Sequence, residues 1–100
     1  MNIVKLQTEI HVPEKTQFVM QEQTVQGAKI GKSGNDLLII SPRRYKLYTD
    51  GADRVKIVKG EGFFKWKRGE TKFCTGDNFE ISQVGEYEIN GKGTFVVLRG

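Results

Sequence analysis

The side chains best suited to chemistry in this sequence are cations. Pro42-Arg43-Arg44-Tyr45-Lys46 puts three of them into four positions, and a guanidinium fork matches the oxygens of a phosphate or carboxylate. The same run also fits a solvated loop and an edge strand guarded by charge. Lys65-Trp66-Lys67-Arg68, with Phe63, Phe64 and Lys72 near it, interleaves cations with aromatics. That pattern can bind single-stranded nucleic acid by stacking and phosphate contact. Two-residue alternation separates Lys65 and Lys67 from Trp66, however, which sends Trp66 toward a core and argues against nucleic acid. Glu86 and Glu88 share one strand face and read as a solvated pair. Cys74 is the single cysteine and His11 the single histidine. No internal disulfide can form, and no Cys–His pair exists to activate the thiol, so Cys74 reads as a small buried hydrophobe. No G-x4-G-K-[ST], G-x-G-x-x-G or G-x-S-x-G pattern occurs, so no phosphate loop or nucleophile elbow is signalled.

The elements that must position these groups are strands. Two-residue alternation runs through most of the chain, carried by β-branched and aromatic residues. It predicts strands near Ile3–Leu6, Gln17–Met20, Gln26–Ile30, Leu37–Ile40, Tyr45–Thr49, Arg54–Lys59, Phe63–Lys67, Thr71–Cys74, Asn78–Ser82, Tyr87–Ile89 and Thr94–Arg99. Turn signals separate them: Gly31 to Gly34, Asp50-Gly51, Gly60 to Gly62, Arg68-Gly69, Gly76-Asp77, Gly85 and Asn90-Gly91. Pro13 to Thr16 could make one helical turn. Many short strands with few edges to spare argue for a sandwich or barrel. One hundred residues with 37% hydrophobic and 28% charged side chains fit one domain, residues 1–100. The net charge of +4 favours anionic partners only mildly. The longest apolar run, Leu37 to Ile40, falls far short of the roughly 20 residues of a membrane helix, and Met1 to Glu9 carries no signal-peptide pattern. The expectation is a soluble cytoplasmic protein with no membrane partner. The apolar N-terminal residues Ile3, Val4, Leu6, Ile10, Val12, Phe18, Val19 and Met20 would either pair across a homodimer interface or complete the chain's own sheet.

From Asp53 to Gly91 the sequence resembles the cupin superfamily of jelly-roll barrels. Cupins carry two glycine-anchored motifs, G-x5-H-x-H-x3,4-E-x6-G and G-x5-P-x-G-x2-H-x3-N. Arg54 to Gly62 resembles the end of the first motif, and counting back from Gly60 puts Asp53 at its Glu. Gly76 to Ile81 resembles the start of the second, and counting forward puts Ser82 at its Pro and Tyr87 at its His. Gly85 and Asn90 each fall one place from the motif's Gly and Asn. The two histidines of the first motif fall on Lys46 and Tyr48, or on Leu47 and Thr49, depending on the gap.

The resemblance implies an all-β fold, a cupin-like double-stranded β-helix, with a site at the barrel mouth. The histidines being replaced, it implies no metal and no cofactor. Arg44, Lys46, Tyr48, Asp53 and Tyr87 are the ligand-binding candidates. They suit a small polar or anionic molecule, sugar-like or nucleoside-like. The competing reading makes Tyr87 a core residue with its hydroxyl at the rim and Asp53 a cap of the Asp50-Gly51 turn. An enzyme alternative follows from short metal-independent cupins that resemble nucleoside phosphorylases: Arg43, Arg44 and Lys46 would take phosphate, and Asp53 and Tyr87 the ribose.

Overall fold

Alternating sequence becomes strand wherever glycine or a short polar turn ends it. The computed structural model describes residues 2–99, which form β1 (Asn2–Lys5), β2 (Val19–Met20), β3 (Lys29–Ser33), β4 (Asp36–Ser41), β5 (Arg44–Thr49), β6 (Ala52–Gly60), β7 (Gly62–Trp66), β8 (Gly69–Phe73), β9 (Asn78–Ser82), β10 (Gly85–Asn90) and β11 (Gly93–Leu98). A single 3-10 turn covers Lys15–Gln17. No helix among the described residues is long and apolar enough to cross a membrane.

Two antiparallel sheets face each other. The larger has the order β1-β9-β6-β11-β4-β3-β2 and the smaller β5-β10-β7-β8. From β4 onward the chain changes sheet at every connection except the β7–β8 hairpin, which is jelly-roll topology. Val55, Ile57, Phe64, Phe73, Phe79, Ile81, Ile89, Phe95 and Val97 fill the space between the sheets. Phe64 meets Phe79 edge-on at 4.8 Å between ring centroids, and Phe73 meets Phe95 at 5.5 Å, arrangements that suit the ring quadrupoles.

Two runs are apolar on both faces, Leu37 to Ile40 in β4 and Phe95 to Leu98 in β11, as strands buried on both sides should be. The N-terminal segment supplies the second cover. Leu6, Ile10, Val12 and Phe18 pack on Leu38, Val96 and Leu98, outside the main core. Asn78 ties this segment down: its Oδ1 accepts a hydrogen bond from the Ile10 N–H at 3.1 Å. β1 pairs with β9 in the larger sheet, so the segment completes the chain's own sheet.

The structure corrects two local expectations. Gln26 and Gly27 form a turn, both at positive φ, and the strand begins at Lys29. Gly31 lies inside β3 rather than in a turn. It is bare because a Cβ there would sit 2.8 Å from the Met20 sulfur and 3.0 Å from the Phe18 Cβ.

Lys59 to Gly62 and Asn90 to Gly93 cross where the chain passes between sheets. A Cβ on Gly62 would lie 2.1 Å from the Asn90 carbonyl oxygen, and one on Gly93 would lie 2.1 Å from that of Lys59. Glycine is required at this corner because the two backbones touch.

Candidate functional site

Strand β5 decides how the sequence-derived residues are distributed. Tyr45, Leu47 and Thr49 are buried between the sheets, whereas Arg44, Lys46 and Tyr48 face solvent. The alternative that turns Leu47 and Thr49 inward is therefore the one adopted. The five candidates split: Asp53 and Tyr87 meet inside, and Arg44, Lys46 and Tyr48 lie on the opposite face of β5.

Inside, β5, β6 and β10 place Thr49, Asp53 and Tyr87 around one carboxylate. The Tyr87 hydroxyl donates to Asp53 Oδ2 at 2.8 Å and the Thr49 hydroxyl to Asp53 Oδ1 at 3.3 Å. Asp53 is only 2% exposed and Tyr87 only 1%. The turn-capping role considered for Asp53 belongs to Thr49, whose Oγ1 accepts the Gly51 N–H at 3.3 Å. Sequence reasoning missed the fourth member. Arg99, just past β11, sets its Nη2 at 3.1 Å from Asp53 Oδ2 and donates to the Tyr48 carbonyl at 2.8 Å. The Arg99 N–H is itself held by Asp36 Oδ1 at 2.9 Å. Burial, then the Asp53 charge and the hydrogen bond to it, push the Tyr87 phenol well above its ordinary range. Burial also raises the Tyr45 phenol, opposed by the nearby Arg99 charge. In this cluster a guanidinium balances a buried carboxylate, while the Arg99 Nε–H has no hydrogen-bond partner among the described residues.

These donors do not fit a divalent transition ion. There is one carboxylate, and its Oδ2 already serves both Tyr87 and Arg99; the remaining groups are a protonated phenol and an aliphatic hydroxyl. Such an ion needs several neutral imidazoles or carboxylates converging on one point. Among the described residues no group of three or more His, Cys, Asp or Glu does so. His11 is exposed in the N-terminal segment.

Outside, Gln26, Gly27, Pro42, Arg43, Arg44 and Lys46 line an open cleft of about 480 Å³. Gln26 forms one wall by treating β5 as a strand partner would. Its Oε1 accepts the Lys46 N–H at 2.8 Å and its Nε2 donates to the Lys46 carbonyl at 3.0 Å. Arg44 reaches Glu88 only at 4.0 Å. Neither Arg43 nor Lys46 has an acidic partner among the described residues. Glu88 is not a freely solvated surface carboxylate; it is largely covered and also accepts a hydrogen bond from Asn90 Nδ2 at 2.9 Å.

Trp66 packs against the core from the end of β7, and its Nε1–H has no partner among the described residues. Lys65 faces solvent on the other side of β7, and Lys67 is exposed in the turn that follows it. Cys74 is partly buried in the β8–β9 turn, its N–H held by Asp77 Oδ2 at 2.9 Å.

No known family model matches the chain, and no curated protein does. Solved structures do. The mannose 6-phosphate isomerase from Bacillus subtilis superposes with a TM-score of 0.64 at 18% identity, over 90% of this chain and 30% of that one. The mannose 6-phosphate isomerase from Salmonella typhimurium, solved with fructose 6-phosphate and zinc, gives 0.60 at 11% identity, over 75% and 21%. A protein of unknown function from Vibrio parahaemolyticus gives 0.59 at 17% identity, over 80% and 95%. The fold is a cupin-type jelly roll. Identities this low carry the fold alone. The chain matches less than a third of either isomerase, so their activity is not transferred with it.

Proposed function

We propose that this cupin-type domain binds a small anionic ligand, sugar-like or nucleoside-like, without a metal, and that the charged end of the ligand sits in the Arg43–Arg44–Lys46 cleft. One observation carries this reading: three cations line one concave surface, and two of them lack an acidic partner among the described residues. A phosphoryl group would replace the weak Arg44–Glu88 contact with short charge-assisted bonds. Tyr48 lies on the same outward face of β5 and is 64% exposed, so a sugar or base extending along the strand can pack on its ring. Asp53 and Tyr87 then act as the internal brace that fixes β5.

The phosphorylase-like alternative needs its phosphate cations and its ribose partners at one ligand. Here the cations face outward and Asp53 and Tyr87 face inward, which favours binding over that catalysis. Titration calorimetry at low salt tests the proposal. Glucose 6-phosphate should bind, glucose should not, and R43Q/K46Q should weaken the phosphorylated sugar by about tenfold or more, the scale of losing charged hydrogen bonds. Equal affinity for the two sugars, or no binding of either, overturns it.

A further inference from the structure

A second cleft abuts the first. Ile40, Ser41, Lys59, Gly60, Lys92, Gly93 and Thr94 enclose about 360 Å³, and Ser41 precedes the Pro42 that lines the other cleft. The register binds the two sides together. Gly93 pairs with both Ser41 and Gly60, Asn90 pairs with Arg44, and the Gly91 N–H donates to the Arg43 carbonyl at 2.7 Å. Both clefts therefore open at the end of the sandwich where the chain changes sheets.

The second cleft brings cations to a mainly apolar surface. Ile40 and the backbone of Gly60 and Gly93 line it beside Ser41 and Thr94, and its charged lining residues are two lysines, Lys59 and Lys92. Ser41 is 2% exposed, and among the described residues its oxygen accepts from the Arg43 N–H at 3.4 Å and donates to no side chain or backbone group. Across the two clefts five cations, Arg43, Arg44, Lys46, Lys59 and Lys92, gather at one corner, and among the described residues only Arg44 has an ion-pair partner.

From this arrangement we infer that the ligand carries two separate phosphoryl groups, one in each cleft, bridging over the Ser41–Pro42 peptide. The inference rests on the anion-binding reading of the first cleft and adds a second anchor that determines specificity. The experiment compares glucose 6-phosphate, glucose 1,6-bisphosphate and an oligothymidylate of about ten nucleotides in calorimetry at low salt, on the full chain and on K59Q/K92Q. The bisphosphate should bind wild type at least tenfold tighter than the monophosphate. K59Q/K92Q should erase that advantage and leave monophosphate affinity within twofold. Monophosphate binding with no gain for the bisphosphate, or a gain that survives K59Q/K92Q, overturns the second anchor and spares the first. Failure of both sugars overturns both readings. An oligonucleotide that outcompetes the bisphosphate overturns the small-ligand assignment. Thermal melting of the variant shows that any loss is not unfolding, since all the substituted side chains are exposed.

Discussion

Replacing Tyr87 with Phe removes one hydrogen-bond donor and almost no volume. The lost bond is the 2.8 Å contact to Asp53 Oδ2, made in a site where both residues are nearly inaccessible. A hydrogen bond to a charged group contributes about 1.5–3 kcal/mol. Arg99 and Thr49 still hold the carboxylate, which places the loss nearer the middle, about 2 kcal/mol, or roughly 10 °C in Tm for a domain of this size. Urea unfolding followed by Trp66, the sole tryptophan, should show this loss at pH 8 with an unchanged slope. The pH dependence is the sharper check. The folded phenol titrates well above its ordinary range because burial and Asp53 oppose its ionisation. The unfolded phenol ionises near pH 10, about its reference value. Above that pH, ionisation favours the unfolded chain of the wild type, and the Phe variant feels nothing. The wild-type advantage is thus complete below about pH 10 and shrinks by about 1.4 kcal/mol per pH unit above it, until the folded phenol itself titrates. Every other group is common to the two proteins and cancels in the difference. A loss under about 0.5 kcal/mol at pH 8, or a gap that stays constant from pH 9 to pH 11, would refute the reasoning.

Gly93→Ala should be severely destabilising, about 3 kcal/mol or more, because the added methyl meets the Lys59 carbonyl at 2.1 Å with backbone on both sides. Gly51→Ala, with open space around the site, should shift the urea midpoint little; comparable losses in the two would show that the corner is not close-packed. Zinc, or EDTA, should leave Tm within about 1 °C, since a ligand that binds only the native state must raise its stability. A rise of several degrees with zinc would contradict the chemistry of the Asp53 network.

Much of the fold was legible because glycines and alternation mark strands strongly, and β4 to β11 lie close to where they were expected. Counting from Gly60 and Gly76 placed Asp53 and Tyr87 in the same interior, and they touch. The register of β5 stayed open in the motif, although the side chains contain the answer. Tyr45 and Leu47 form the apolar set and go inside, so Arg44, Lys46 and Tyr48 must go out. Arg99 left no spacing signal, because its partner Asp53 lies far back in the chain and on another strand. Its one hint is position, a charge that follows four apolar residues at the end of a fully buried run. Gly31 misled for a local reason. Glycine usually marks a turn, but here the side chains of Phe18 and of Met20, its partner on β2, cover its bare Cα. The second cover on the doubly apolar runs of β4 and β11 is identified as the N-terminal segment only by the tertiary arrangement.

The crossing of Lys59–Gly62 with Asn90–Gly93 makes the molecule indivisible. Each passing segment enters from one sheet and leaves in the other, so neither layer can be finished while its counterpart is still open. Apart from β7–β8, no pair of consecutive strands after β4 forms a self-contained hairpin. A fragment ending before Gly85 would lack the strand that joins β4 to β6 and the one that joins β5 to β7. Assembly must therefore wait for nearly the whole chain, and loss of structure must engage all of it at once.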